Sequence, residues 1–348
     1  MLSFRLTTAM LTTMRGKATG DVLKVWLYVI TSVWLGAWIS PLTYQTGQAI
    51  NEVASVKQTN AGFKWLAAIC DRASFADFFA FSLFAAGLLL FIPFIDWIRG
   101  GRFAKDGKIL RLIRPVPSPD LGGLQKNPLG IREALLGFGW MAAGFLMISG
   151  GLSLAGLFEW KHPPPAIAPW LGWALIWALL AGILQEFLFG GIATGIFLRA
   201  LNPPAALGLS ALLFAGVHLL NPSAGLPVAD PELPAVGFEL LRKIGGQFFL
   251  PREVICQVLP LLVFGGLLAY TRWRTNSLFL PIGLHVGWLF ADALVADGTV
   301  ISRKSGALVW LMSENSTRSG LIPLAAMLAA SYGILRLLAN RHGTHLPS

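Results

Sequence analysis

The sequence predicts an all-α fold, a polytopic transmembrane helix bundle. Three observations carry that expectation. The 348 residues are 55% hydrophobic and only 13% charged, with mean hydropathy +0.65, too little charge to cover the surface of a soluble domain. Apolar runs recur along the chain at about the 20-residue length that a helix needs to cross a bilayer. The basic residues behind the net charge of +10 fall in short segments between those runs. That is the pattern of cytoplasmic loops and not of a nucleic-acid-binding face. The partners expected are therefore the lipid bilayer and molecules within it, and no nucleic acid.

Eight runs qualify: 23–41, 74–98, 132–157, 168–200, 204–220, 252–271, 277–296 and 319–338. The first is preceded by Arg5, Arg15 and Lys17 and bounded by Lys24 and Pro41. No small-residue cleavage site follows it, so it is expected to remain as a span. The segment 99–132 carries Arg99, Arg102, Lys105, Lys108, Arg111, Arg114, Lys126 and Arg132 and is expected in the cytoplasm. Arg199, the pair Arg272 and Arg274, and Arg336 with Arg341 follow spans that run in the same direction. With eight spans every basic loop and both termini fall on the cytoplasmic side. The fourth run is longer than a bilayer requires, so it starts outside the hydrocarbon or tilts.

The connecting segments say less. Residues 42–73 are mixed and carry no readable role. Residues 221–234 are rich in turn formers and irregular. The stretch FELLRKIGGQFF, 238–249, suits a short helix, either lying in the membrane interface or solvated. Cys70 and Cys256 lie far apart and read as small apolar residues, with neither a disulfide nor a metal motif. The C-terminal HLPS is not a prenylation box, so the spans themselves anchor the chain, expected in the cell membrane. The chain divides by sequence into N-terminal spans with a basic loop (1–165), a core (166–300), and a last span with a tail (301–348).

Ionisable side chains at membrane depth are expensive, and where they occur they mark function. Three stand out: Glu186 in the fourth run, His218 in the fifth and His285 in the seventh. The other three histidines of the chain, His162, His342 and His345, lie outside the runs. At 1.5 Å per helical residue, Glu186 is roughly 20 Å from Arg199, His218 roughly 21 Å from Pro204, and His285 roughly 16 Å from Arg274. The three groups thus reach a similar depth on three helices. Facing one cavity, a carboxylate and two imidazoles can move a proton, orient water and polarise a carbonyl. With a divalent metal such as zinc, Glu186, His218 and His285 would form a two-histidine, one-carboxylate site; the sequence leaves the cofactor open between such a metal and none. Each histidine alone would read equally well as a hydrogen-bonded packing residue. Gly182, Gly190, Gly191 and Gly195 read as close helix packing.

The motifs around these residues resemble those of the CPBP intramembrane proteases, the CAAX-processing and bacteriocin-processing group also called type II CAAX proteases. That family's first motif, Glu-Glu-x-x-x-Arg, stands here as QEFLFG, 185–190. Its second, Phe-x-x-x-His, is intact as Phe214 and His218. Its third, His-x-x-x-Asn, lies in LPIGLHVGWLF, around His285. The resemblance covers roughly 170–296 and implies an eight-helix core. It also implies peptide-bond hydrolysis inside a membrane cavity, on a peptide or lipidated protein tail. In the family the first glutamate and a histidine activate water, the third-motif histidine and asparagine stabilise the oxyanion, and both metal-dependent and metal-free mechanisms are considered.

Three positions depart from the pattern: Gln185 replaces the first glutamate, Gly190 the arginine, and Leu289 the asparagine. A carboxamide cannot accept a proton from water near neutral pH. Losing an oxyanion donor typically costs about 2.7–4 kcal/mol of barrier. The first two changes are coupled, because together they leave the local charge balanced. Two readings stay open. In one, Glu186 is the general base, His218 assists, His285 donates to the oxyanion, and Gln185 and Phe214 position water or substrate. In the other, Gln185 faces the cavity, Glu186 only supports a histidine, and the protein binds peptides or membrane partners without cutting them. No related halves with broken helices point to a transporter. Neither His-Glu-x-x-His nor Gly-x-Gly-Asp is present to mark another protease class. Ser149 and Ser210 are expected to bond the preceding helical turn rather than act as nucleophiles.

Overall fold

The computed structural model describes residues 2–56, 60–98, 127–161, 167–220, 230–247 and 254–301, together with 226, 228, 250–251, 324, 327–334 and 336. The helices are α1 (Leu2–Val56), α2 (Ala61–Arg72), α3 (Phe75–Ile98), α4 (Gly130–Leu154), α5 (Ile167–Gln185), α6 (Thr194–Ala200), α7 (Pro203–Leu219), α8 (Val236–Gln247), α9 (Leu259–Thr275) and α10 (Phe279–Gly298). Two π-helical segments, Glu186–Ala193 and Val254–Val258, lead into α6 and α9. Strands β1 (Phe158–Trp160) and β2 (Thr299–Ile301) pair antiparallel, Phe158 opposite Ile301. Contacts group the chain into two compact units, residues 1–117 with 219–249, and 118–218 with 250–348.

Among the described residues, six helices are long and apolar enough to cross a membrane: Thr19–Val56, Phe75–Ile98, Gly130–Leu154, Trp170–Ala200, Val254–Thr275 and Phe279–Ala296. The protein is an integral membrane protein built as an α-helical bundle. α7 is apolar but only 17 residues long, about 26 Å. The expected run at 319–338 and the basic segment 99–126 lie largely or wholly outside the described residues.

In the first unit α1 does not end at Pro41, as its sequence suggests, but runs through it. Proline has no N–H to donate to the carbonyl four residues back. The hydroxyl of Ser40 donates to that carbonyl, Ala37 O, at 2.9 Å, so the break in the ladder is repaired locally. Residues 42–56 are the continuation of this helix. The amphipathic stretch expected at an interface forms α8, and it is packed instead of solvated. Val236, Leu240 and Ile244, one face at helical spacing, are buried with Ala37, Phe75 and Phe79. A Cβ on Gly237 would collide with Ala37 O and Ser40 Oγ, so only glycine admits α8 this close to α1.

In the second unit α10 is the most enclosed span, with 61% of its apolar window buried against 22% for α4. It packs chiefly on α4 and α5. Glycines set that approach. A Cβ on Gly283 would strike Ala134 O, and one on Gly287 would lie 2.5 Å from Phe138 O. A Cβ on Gly182 of α5 would lie 2.7 Å from Val286 Cγ2. These small residues let α4 and α5 press on α10 immediately around position 285. The expected packing role of Gly182 is thus met; Gly190 has a different one.

Candidate active site

Glu186 opens the first π-helical segment, at the end of α5. A π-turn takes in one more residue than an α-turn and recurs at functional sites. The carboxylate is 1% exposed. A Cβ on Gly190 would lie 2.6 Å from Glu186 Oε2 and 3.2 Å from Leu278 Cδ2. The carboxylate therefore lies against the bare backbone of Gly190, in space that any side chain at this position would need. Glycine in place of the motif's arginine and the inward placement of Glu186 are two sides of one arrangement.

His285 comes from α10 and is fully buried. Its Nδ1 is 2.8 Å from Glu186 Oε1, a bond between separate helices in the protein interior. Because Gly283 and Gly287 hold α10 close to α4 and Gly182 holds it close to α5, the imidazole has little freedom to leave this partner. Aromatic rings surround it: Phe214 at 5.3 Å, Phe264 at 5.7 Å and Trp288 at 5.9 Å between centroids. Such walls lower the local dielectric and strengthen the carboxylate–imidazole interaction.

His218 sits one turn after Phe214 on α7. Its Nδ1 donates to the Phe214 carbonyl at 2.8 Å, since a carbonyl oxygen only accepts. In the neutral ring Nε2 is then the basic nitrogen. The ring stacks on Phe214 at 4.0 Å between centroids and lies 5.9 Å from the His285 ring. The intact Phe-x-x-x-His spacing thus has a local reason, because one residue supplies both a stacking face and a carbonyl. Glu186, His218, His285 and Phe214 all come together. Gln185, the last residue of α5, is partly buried, and its Oε1 has no hydrogen-bond partner.

Further polar atoms of this region are buried with no hydrogen-bond partner, among them Glu186 Oε2, His285 Nε2 and the indole N–H of Trp288. Leaving such groups unsatisfied costs about 1–3 kcal/mol each, and natural interiors keep few of them. Trp288 is 2% exposed and its ring also packs 6.1 Å from His218. Sequence reasoning passed over it as an apolar residue, although it lies within the third motif. It also passed over Asp292, two turns beyond His285 and 1% exposed. Leu289, at the position of the family asparagine, belongs to the hydrophobic core cluster and offers no donor.

Among the described residues no three His, Cys, Asp or Glu side chains gather to hold a metal ion, and Glu186 Oε1 is engaged by His285 Nδ1. Ser210 is held as expected: its hydroxyl donates to Ala206 O at 2.8 Å and accepts from Thr194 at 2.9 Å.

Compared with known protein families, residues 167–291 match the family model described as Rce1-like, type II CAAX prenyl endopeptidase Rce1-like. The match covers the segment that carries all three motifs, about a third of the chain, and bears out the resemblance drawn from them. Comparison with curated proteins and with solved structures gives no match.

Proposed function

We propose that this protein is an intramembrane endopeptidase of the CAAX-processing type, cleaving a membrane-associated peptide or lipidated protein tail with Glu186, His218 and His285 as catalytic residues. One observation supports the reading above all: the buried 2.8 Å bond between Glu186 and His285, drawn from separate helices. Each partner keeps a second polar atom, Oε2 and Nε2, that makes no hydrogen bond. In the imidazolium–carboxylate state, Oε2 accepts a proton and Nε2–H donates one, which are the two tasks of peptide hydrolysis.

The steps balance without a further reactant. Water gives a proton to Glu186 Oε2 as its oxygen bonds to the peptide carbonyl carbon. Charge gathering on the carbonyl oxygen is met by His285 Nε2–H. The proton then passes to the leaving nitrogen as the C–N bond breaks, yielding a carboxylic acid and an amine. His218, its tautomer fixed by the Phe214 carbonyl, assists as a second proton acceptor at Nε2. Gln185 orients water or substrate. The site belongs to a protein with both termini in the cytoplasm of the cell membrane.

A second reading rests on Gln185 and Leu289. With a carboxamide for one glutamate and an alkyl chain for the asparagine, the cavity would bind tails without cutting them. Full-length protein in proteoliposomes, given a prenylated peptide ending Cys-aliphatic-aliphatic-X, separates the two by mass spectrometry. Release of the C-terminal fragment, lost in Glu186→Ala, His218→Ala and His285→Ala, is the expected result. Peptide binding without cleavage, together with activity created by Gln185→Glu, would establish the binding reading instead.

A further inference from the structure

Away from Glu186 and His285, the second unit has a cleft of about 230 Å³ lined by Arg199, Arg272, Trp273, Asn276 and Gly195 among others. Arg199 lies in the last turn of α6, at the end of the span Trp170–Ala200. Arg272 lies in the last turn of α9, at the end of the span Val254–Thr275. Both belong to the basic end that the charge pattern places in the cytoplasm. Arg199 is exposed and makes no ion pair with any described residue. Arg272 is 3% exposed, and its Nη1 donates to Asn276 Oδ1 at 3.0 Å. Asn276 takes the left-handed conformation, φ 50°, that ends α9, a conformation asparagine tolerates well. One guanidinium is thus fixed in the wall while a second, exposed one lines the same small space. Trp273, at 39% exposure, has the amphipathic ring found at membrane–water boundaries.

We propose that this cleft binds the phosphate of an anionic phospholipid headgroup from the cytoplasmic leaflet. The exposed guanidinium of Arg199, backed by the positive charge of Arg272 in the wall of the same opening, suits phosphate oxygens in charge. Inner-leaflet anionic lipids are attracted to basic groups at this depth. Leu198 and Trp273 give the glycerol and upper acyl chain an apolar flank. This inference does not depend on the hydrolytic reading.

The test uses the full chain in dodecylmaltoside, observed by native mass spectrometry during separate titrations with dioleoyl phosphatidylglycerol, dioleoyl phosphatidylcholine and inorganic phosphate. Phosphatidylglycerol is expected to bind at least tenfold more tightly than phosphatidylcholine. Arg199→Gln should weaken it about tenfold, equivalent to about 1.4 kcal/mol. Arg272→Lys, which keeps the charge but loses the bond that fixes the guanidinium on Asn276, should weaken it severalfold. Arg132→Gln, at the exposed start of α4, should change nothing. Equal binding of the two lipids, or an equal loss in Arg132→Gln, would overturn the site. Inorganic phosphate displacing the lipid with equal affinity would assign the cleft to a free anion and overturn the lipid.

Discussion

In the unit built on α1 and α3, buried and half-buried hydroxyls end on carbonyls or on one another. Tyr28 donates to Gly87 O at 2.8 Å, Ser32 to Tyr28 O at 2.7 Å and Ser82 to Phe78 O at 2.7 Å, while Thr43 and Ser82 meet at 2.7 Å. The unit built on α10 has such hydroxyls too, Ser210 on Ala206 O among them, but it also buries ionisable groups. Glu186 and His285 satisfy one another through one atom each and leave the other atom without a hydrogen bond. The two regions have similar apolar surroundings, so polarity at membrane depth does not by itself mark a site. What distinguishes the second is chemistry kept in reserve: a carboxylate oxygen, an imidazole nitrogen and an indole N–H, all close together. Hydroxyls that complete the backbone ladder stabilise helices, whereas unsatisfied proton donors and acceptors lower stability and are kept where they serve a reaction.

The largest effects are expected at the pair itself. Glu186→Ala or His285→Ala should lower kcat about 10²–10⁴-fold and destabilise the protein by about 3–5 kcal/mol, because one buried partner is stranded. The double replacement Glu186→Leu with His285→Leu should recover most of that stability and none of the activity, as read by thermal unfolding beside the peptide assay. A double variant that still cleaves would remove both residues from the chemistry. Gly190→Ala comes next. Its Cβ needs the space of Glu186 Oε2, so the carboxylate must turn away, and a misplacement of about 1 Å costs about 100-fold. Unchanged kcat in that variant would show that the observed carboxylate position is not the working one.

Smaller effects belong to the other region. Ser40→Ala strands the Ala37 carbonyl beside Pro41 and should cost about 1–3 kcal/mol, seen as a lower Tm with kcat unaltered. Thr43→Val, which leaves Ser82 its bond to Phe78 O, should cost about 1 kcal/mol or less. A change in kcat from either would mean that hydroxyls of the first unit also act on the reaction.

The helical membrane fold was legible in composition, and Glu186, His218 and His285 were legible because charge is rare in apolar runs. Counting residues from the basic ends gave them a common depth, and they do meet. What escaped notice was governed by contacts between distant residues. Pro41 reads as a terminus because the compensating hydroxyl of Ser40 looks like any other serine. The paired strands around Phe158 and Ile301 are three residues each, too short to alternate visibly and far apart in the chain. The amphipathic face of α8 was visible, but its partners Phe75 and Phe79 were not. The π-helical turn leaves no mark in the residue pattern, since neither proline nor a caesura in hydropathy announces it.

That turn has a consequence for the evolution of the chain. It works as a fixed clutch between two ends of one rod. Glu186 is engaged with α10 on one side of it, and Arg199 with the neighbourhood of Arg272 on the other. Deleting a single residue from 187–193 would let the rod wind regularly and swing one end by about 100° against the other, unmeshing either the carboxylate or the guanidinium. Length changes that a surface loop would absorb unnoticed are therefore forbidden along this stretch.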